Sequence, residues 1–308
     1  MQTATIRQKK SGKPGVWGRM KRDWLFYVSI SPYFLLFLIF SAFPIVTSFF
    51  IGFTQWNAIG KPKFIGLENY IHIFHDPTFL KSIFNTLYIW FFSTLFTLSL
   101  AFILAFLVNH YVVRGKGFYR VIYLIPLLVA PALTSIIISI LFSTNSGIIN
   151  AFISLFIEGK YSFDWLGSPF WIKPLIVLLI MWRWTGWHFI IQLAGLQTIS
   201  NDYYDAAKID GAGDRQILLH ITLPLMLPII LFSVVSATVG GIQLFDEPFV
   251  LTNGTGGTLQ SATTMGMYLY QTAFQDFKFG LASSMAYVIF FIILVVTLIN
   301  ASILRQRR

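Results

Sequence analysis

The sequence has 308 residues, of which 56% are hydrophobic, 18% aromatic and only 11% charged, and its formal net charge is +10 at pH 7. Soluble domains carry roughly 25% charged residues, so this composition excludes a water-soluble globular protein and indicates that lipid surrounds much of the chain. Cysteine is absent, which excludes disulfides, thiolate nucleophiles and cysteine-ligated metal sites.

Six long apolar segments follow one another along the chain. About 20 apolar residues are needed to cross the hydrocarbon core as a helix. The predicted spans are residues 24–53, 82–109, 121–142, 174–195, 217–245 and 279–302. The first segment is too long for the apolar core of a cleaved signal peptide, which is about 7–15 residues. We therefore expect an all-α integral membrane protein with six transmembrane helices.

Lysine and arginine are distributed unequally between the two sides of this topology. One side carries Arg7, Lys9, Lys10, Lys13, Arg19, Lys21, Arg22, Arg114, Lys116, Arg120, Lys208, Arg215, Arg305, Arg307 and Arg308. The other side carries Lys61, Lys63, Lys81, Lys160, Lys173 and Lys278. Basic residues accumulate in cytoplasmic loops, so both termini are expected in the cytoplasm. This topology signal explains the positive net charge better than nucleic-acid binding does.

A polar segment, residues 200–224, lies between the fourth and fifth spans and differs from the rest of the chain. Ser200 or Asn201 can cap a first short helix. The Asp-Gly pair at 210–211 predicts a turn in which the glycine adopts positive φ. A second short helix, Asp214 to His220, leads into the fifth span. Two interpretations are open: a solvated loop with ordinary turn chemistry, or a docking element for a partner protein.

The spacing within this segment resembles the EAA loop of bacterial ABC importer permeases, which reads Glu-Ala-Ala, three residues, Gly, nine residues, Ile-x-Leu-Pro. Here Asp205 takes the place of the usual glutamate. The resemblance implies that the helix within 203–215 is a coupling helix that seats in a cleft of an ATPase subunit. The residues so assigned are Tyr204, Asp205, Ala206, Ala207, Asp210, Gly211, Ile221, Leu223 and Pro224.

Other motifs are similar to those of maltose-type sugar permeases. They are "FIGLENY" at 64–70, "FYRVIYLIPLLVAP" at 118–131 and "GIQLFDEPFVLT" at 241–252. The resemblance implies the type I ABC importer permease fold in a bacterial plasma or inner membrane. It divides the chain into a basic cytoplasmic tail (1–23), a first helix with an outer loop (24–80), a type-1 permease domain (81–302) and a C-terminal tail (303–308).

The same resemblance implies that the chain is a permease subunit that moves a sugar, a di- or oligosaccharide, into the cytoplasm. The implied partners are a second permease subunit, two ATPase subunits and an extracytoplasmic sugar-binding protein. No "GxxxxGK[ST]" phosphate-binding loop occurs in the sequence, so ATP hydrolysis is expected on the ATPase subunits. The chain itself is predicted to be non-catalytic, with no cofactor and no metal.

The resemblance also places a sugar path on the fourth and fifth spans. Tryptophan offers a platform for the apolar faces of a sugar, and polar side chains bind its hydroxyls. In the fifth span, the candidates Ala237, Gly240, Gly241 and Leu244 lie at i, i+3, i+4 and i+7 and therefore share one helical face. That small-residue face either leaves room for a ligand or packs against another helix. The candidates are Arg183, Trp184, Trp187, Ala237, Gly240, Gly241, Gln243 and Leu244.

Arg183 is the one clear ionisable residue inside a predicted span, and two interpretations are open. It lies near the outer interface against neighbouring tryptophans, or it lines a cavity and donates hydrogen bonds to sugar hydroxyls. Ion-driven transporters keep ionisable residues in mid-membrane. Asp246 and Glu247 fall at the outer end of the fifth span, so no central carboxylate is expected. A secondary transporter and a non-transporting membrane scaffold remain the alternative functions.

Overall fold

The computed structural model describes residues 23–111, 115–157, 159 and 161–305. Several residues of the topology pattern lie outside this part of the chain, namely the basic tail before Asp23, Arg114, Lys160, Arg307 and Arg308. The described residues form two compact units that divide between Phe50 and Ile51.

The first unit is formed by an apolar helix, all but its last residue, Ile51. It begins as α1 (Trp24–Phe37), continues through a π-helical segment (Leu38–Ala42) and ends as α2 (Phe43–Ile51). The 28 residues of this helix extend about 42 Å at 1.5 Å per residue, which is long enough to cross a bilayer. The helix therefore matches the first predicted span.

The second unit contains the other long helices and the segments that join them. Its elements in chain order are β1 (Thr54–Gln55), β2 (Lys63–Phe64), α3 (Glu68–His75), α4 (Pro77–Tyr111), α5 (Lys116–Leu128), α6 (Pro131–Leu141), α7 (Ile148–Ser154), α8 (Ile172–Leu196), α9 (Asn201–Ile209), α10 (Asp214–Ile217), α11 (Leu223–Ile242), α12 (Asp246–Leu251), α13 (Met265–Tyr270) and α14 (Phe279–Arg305). The two short strands pair antiparallel, with Thr54 opposite Phe64.

Four continuous helices in this unit are long and apolar enough to span a membrane. They are Pro77–His110, Ile172–Leu196, Asp214–Ile242 and Phe279–Ile303. Each agrees with a predicted span to within a few residues. The prediction of an all-α membrane protein is therefore confirmed.

The third predicted span, residues 121–142, is not one continuous helix. The structure has two helices there, α5 and α6, bent by 87° relative to each other. Pro131 is the first residue of α6, and Ala130 before it has extended backbone with ψ of 141°. A proline disfavours the α conformation in the residue before it and cannot donate a backbone hydrogen bond. The chain therefore turns at this proline.

The segments between the spans are fixed by buried asparagines at the end of the bundle where α4 begins. Asn69, from the "FIGLENY" motif, donates hydrogen bonds to the carbonyls of Gly52 and Thr54, both at 2.9 Å. Asn85 of α4 donates to the carbonyls of Gln260 and Thr263, both at 3.0 Å. Each asparagine satisfies two backbone acceptors that lie far away in sequence, so these side chains set the position of the loops.

A second contact fixes the same end of the bundle. The hydroxyl of Tyr268 in α13 donates a hydrogen bond to the carboxylate of Asp76, just before α4. Burial raises the pKa of Tyr268, and the hydrogen bond to Asp76 raises this pKa further. The phenol therefore stays protonated and remains a hydrogen-bond donor at neutral pH.

The helix α8 lies at the centre of the second unit. It packs against α4, α5 and α11, and more than half of its residues are buried. One cluster of its buried apolar residues, including Ile176, packs against Ile89 of α4. Another cluster, including Leu193, packs against Ala101 of the same helix. The two clusters hold α4 and α8 together at both ends.

Glycine permits one very close approach to α8. A Cβ atom at Gly186 would lie 1.7 Å from the carbonyl oxygen of Tyr123 in α5. The obstacle is backbone, so no side-chain rotation relieves it. The absence of a side chain at this position is what lets α5 pack against α8.

We expect Gly186→Ala to lower stability by about 3 kcal/mol or more, because the new methyl group forces α5 and α8 apart. The measurement is the thermal unfolding midpoint of the purified variant in detergent. Gly240→Ala is the matched control, because a Cβ atom at Gly240 meets nothing within 4 Å. Equal midpoints for the two variants would contradict the close approach.

Candidate functional site

The first part of the helical hairpin (residues 200–224) is the capped helix α9. Ser200 is its N-cap, and the serine hydroxyl accepts a hydrogen bond of 3.2 Å from the backbone N–H of Asp202. Serine at this position satisfies one of the free N–H groups of the first turn. Of the two predicted caps, Ser200 is therefore the one used, and Asn201 is the first residue of the helix.

The helix α9 ends at a glycine turn. Gly211 has φ of +78°, as predicted. Its N–H donates to the carbonyl of Lys208 at 3.1 Å, and the next N–H, of Ala212, donates to the carbonyl of Ala207 at 2.9 Å. This pair of bonds is the Schellman arrangement, which requires the left-handed conformation that glycine adopts most easily.

The second part of the hairpin is continuous with the fifth span. The helix α10 begins at Asp214, and the side-chain oxygen of Gln216 accepts a 2.9 Å hydrogen bond from the N–H of Gly213. The predicted second helix changes to π-helical geometry at Leu218–Thr222 and then becomes α11. The hairpin is thus joined to α11 through unbroken helical backbone, with no flexible loop between them.

The residues assigned to ATPase coupling lie together on this hairpin, and none of them is buried. Half-buried positions are Tyr204, Ala207, Ile221 and Leu223. Exposed positions are Asp205, Ala206, Asp210, Gly211 and Pro224. Nearby, Ile209 exposes 86% of its surface and Tyr203 exposes 57%. The hairpin therefore presents apolar side chains beside carboxylates, which is the composition of a docking surface.

A cavity of about 300 Å³ lies between α4, α8 and α11. Seven of the eight predicted path residues line it, namely Arg183, Trp184, Ala237, Gly240, Gly241, Gln243 and Leu244. The eighth, Trp187, is not part of its wall. Ser93 and Arg183 lie near the midpoints of α4 and α8, so the cavity opens close to the middle of both helices.

The small-residue face combines both interpretations, because one of its glycines borders open space and the next one packs against another helix. A Cβ atom at Gly240 would meet nothing within 4 Å, so this glycine borders open space. A Cβ atom at Gly241 would lie 2.8 Å from the indole of Trp90, so this glycine is a helix-packing contact. Gly240 therefore contributes room to the cavity, whereas Gly241 lets α11 approach α4.

Several lining residues were not identified from the sequence. They are Ser93, Thr94, Thr97, Ile180, His188, Ser236, Phe245, Asp246 and Glu247. The hydroxyl residues of α4 could have been identified from the sequence. Ser93 and Thr97 are polar residues spaced i, i+4 within an apolar span, so they share one face of the helix. No feature of the sequence identified Asp246 and Glu247 as lining residues, since they come from a segment beyond the predicted fifth span.

Arg183 forms a buried ion pair. Its guanidinium nitrogen donates to a carboxylate oxygen of Glu247 at 2.8 Å. The guanidinium carbon also lies 5.8 Å from the ring centre of Trp184. Arg183 is 7% exposed and Glu247 is 4% exposed. Arg183 is therefore a buried, paired side chain and not one that extends into solvent, and its partner is one of the two carboxylates that the sequence places at the outer end of the fifth span.

The helix α12 explains why sequence reasoning misplaced Glu247. The backbone leaves helical geometry after Ile242, and a new helix begins at Asp246. This helix packs against α6 and α8 instead of continuing α11. The change of direction carries the carboxylate of Glu247 back to the middle of α8.

We expect Arg183→Ala to destabilise the chain by about 3–5 kcal/mol, because it leaves the carboxylate of Glu247 buried without a partner. The double variant Arg183→Ala/Glu247→Ala removes both charges and is expected to recover much of that loss. The measurement is the unfolding midpoint of each variant in detergent. A double variant less stable than the single one would show that the two side chains are not a pair.

The family model described as the binding-protein-dependent transport system inner membrane component matches residues 84–308. The lactose transport system permease protein LacF of Rhizobium radiobacter is 32% identical over 286 residues, which cover 92% of this chain and 94% of the relative. The sn-glycerol-3-phosphate transport system permease protein UgpA of Salmonella typhimurium is 29% identical over 284 residues, covering 90% and 92%.

A solved structure has the same fold. It is the crystal structure of a bacterial ABC transporter involved in the import of the acidic polysaccharide alginate. One of its chains is similar to this one with a TM-score of 0.80 at 24% identity, covering 95% of this chain and 99% of that chain. The likeness extends over nearly the whole of both chains and concerns the fold.

Proposed function

The chain belongs to the family of binding-protein-dependent transport system inner membrane components, and we propose that it is the permease subunit of an ATP-driven importer of a carbohydrate. The observation that carries this proposal is the continuity between the helical hairpin and α11. One end of this helical unit presents an exposed docking surface, and the other end forms a wall of the cavity. Such a unit can transmit a displacement from a partner to a substrate path.

The proposed partners at the hairpin are ATPase subunits, two in the assembled importer. Nucleotide-driven closure of these subunits must move transmembrane helices, so a rigid element has to carry the movement. The backbone from Asp214 to Ile242 is helical throughout. Asp205 is exposed near the glycine turn and is available for an ion pair with a basic residue of the ATPase cleft. In the proposed importer, the ATPase subunits hydrolyse ATP and the permease subunit does not.

The cavity has the chemistry of a carbohydrate path. Trp184 supplies an aromatic surface, and the hydroxyls of Ser93 and Thr94 together with the amide of Gln243 supply hydrogen bonds. The relative LacF, named for lactose transport, supports a sugar as cargo. An extracytoplasmic binding protein delivers the sugar, and a second permease subunit completes the path. The substrate is proposed to be a di- or oligosaccharide.

The alternative functions are disfavoured by this family membership. An ion-driven secondary transporter would need no docking hairpin for an ATPase, and a scaffold would need no mid-helix cavity. The buried pair of Arg183 and Glu247 is explained as a neutralised structural contact on the cavity wall. The proposed location is a bacterial plasma or inner membrane, with both termini in the cytoplasm.

The orientation can be tested with single cysteines, because the natural chain has none. We expect Ala206→Cys, on the exposed surface of α9, to resist a membrane-impermeant thiol reagent in intact cells and to react after permeabilisation. Asn57→Cys, on the exposed loop between β1 and β2, is the matched control and is expected to react in intact cells. The reverse labelling pattern would show that the orientation in the membrane is opposite to the proposed one.

Coupling can be tested at the glycine turn. We expect Gly211→Val to abolish uptake and co-purification of the ATPase while the chain still inserts, because a β-branched residue strongly resists positive φ. Gly211→Asn is the control, since asparagine tolerates this conformation. The measurement is uptake of labelled disaccharides by cells that express the complete importer. Full activity in Gly211→Val would remove the assigned role of the hairpin.

The path can be tested at Gly240, which borders the cavity. We expect Gly240→Leu to reduce uptake at least about tenfold by filling the open space, since ligand sites depend on free volume. The variant is expected to assemble normally with the ATPase. Gly240→Ala is the control, and it is expected to retain most of the uptake. Normal kinetics in Gly240→Leu would place the path elsewhere.

A further inference from the structure

The charges on the cavity wall do not balance. Among the described residues that line it, the charged side chains are Arg183, Asp246 and Glu247. The charge of Arg183 is offset by Glu247, which lies 2.8 Å away. Asp246 is exposed, and no ion pair in the described part of the chain involves it. With His188 counted as neutral, the wall carries a net charge of about −1 at neutral pH.

The remaining polar groups on the wall are uncharged. They are the hydroxyls of Ser93, Thr94, Thr97 and Ser236 and the amide of Gln243. Hydroxyl and amide groups both donate and accept hydrogen bonds, which suits the hydroxyls of a sugar. A carboxylate or phosphate only accepts, and it needs cationic donors to offset its desolvation. In the described part of the chain, the one cationic side chain on the wall, Arg183, has its charge offset by Glu247, although its Nε has no hydrogen-bond partner.

We propose that this cavity admits neutral carbohydrates and rejects anionic ones, such as uronates, sugar phosphates and sugar sulfonates. The inference rests on the proposed function, because it assigns a charge class to the cargo of that same path. Family membership leaves the charge class open, since LacF is named for neutral lactose and UgpA for anionic glycerol-3-phosphate, and the solved structure is of an importer of an acidic polysaccharide. The ion pair and Asp246 decide between these classes.

The physical reason is the low dielectric between the helices. An anion that enters loses hydration, and it then meets a wall whose unbalanced charge has the same sign. Glu247 is the key residue, because its negative charge offsets the positive charge of Arg183, which would otherwise attract an anion. The pair therefore acts as a specificity determinant through charge, in addition to its structural contact.

The test measures the potential inside the cavity directly. Ser236→Cys places a thiol on the wall with little change in shape, in a chain that has no other cysteine. The full chain is studied in nanodiscs of zwitterionic lipid. Its rates of reaction with cationic trimethylammonium-ethyl and anionic sulfonatoethyl methanethiosulfonate are compared. The same pair of rates for free 2-mercaptoethanol supplies the reference ratio.

We expect the cationic reagent to be favoured about tenfold over the reference ratio, since charged clefts change local ion concentrations by such factors. Asp246→Asn is expected to remove most of this preference. The double variant Asp246→Asn/Glu247→Gln is expected to reverse it in favour of the anion, because Arg183 is then unopposed. Glu247→Asp keeps the charge and is expected to leave the ratio unchanged.

A ratio equal to the reference, or a preference for the anion, in the Ser236→Cys chain would overturn the proposal. So would an unchanged ratio in Asp246→Asn, which alters an exposed side chain and leaves the buried pair intact. The labelling needs neither ATP nor a binding protein. Failure of sugar uptake would count against the proposed function, whereas a wrong labelling ratio would count only against the charge selectivity.

Discussion

The structure depends on one constraint, which is that polar groups between the spans must find partners within the protein because the hydrocarbon core offers none. The helix α8 carries several of these groups. Arg183 binds Glu247, and Gln192 donates to the carbonyl of Leu98 in α4 at 3.4 Å. At the start of the helix, Lys173 donates to the side chain of Asn85 at 3.3 Å. These contacts join α8 to its neighbours at successive depths, and the cavity forms where the packing leaves α8, α4 and α11 apart.

Much of the fold could be predicted from the sequence, because length and hydropathy determine a membrane helix almost by themselves. The local features of the hairpin were also predictable. Gly211 adopts positive φ because the Asp-Gly pair and the end of α9 require it, and all the bonds involved lie within six residues. Hydropathy failed at Pro131, where the apolar composition continues but the backbone bends.

The candidate site was only partly predictable, because its contacts are between residues far apart in sequence. Periodicity placed Gly240 and Gly241 on one helical face, but it could not show that one borders a cavity and the other packs on Trp90. Trp187 belongs to the same helix as Trp184 and has the same chemistry, yet only Trp184 lines the cavity. The pairing of Arg183 with Glu247 spans 64 positions and depends on the change of direction before α12.

The difference between the two glycines bears on how movement reaches the cavity. In the proposed importer, a displacement of the helical hairpin passes along α11 through continuous helical backbone, so it arrives at Gly240 and Gly241 together. Gly241 lies against the side chain of Trp90 with no space for a methyl group, so α11 cannot tilt toward α4 at this level without moving Trp90. Packed interfaces of this kind shift between discrete arrangements instead of deforming continuously. In the proposed importer, Trp90 is therefore the contact through which a displacement of the hairpin changes the cavity volume beside Gly240.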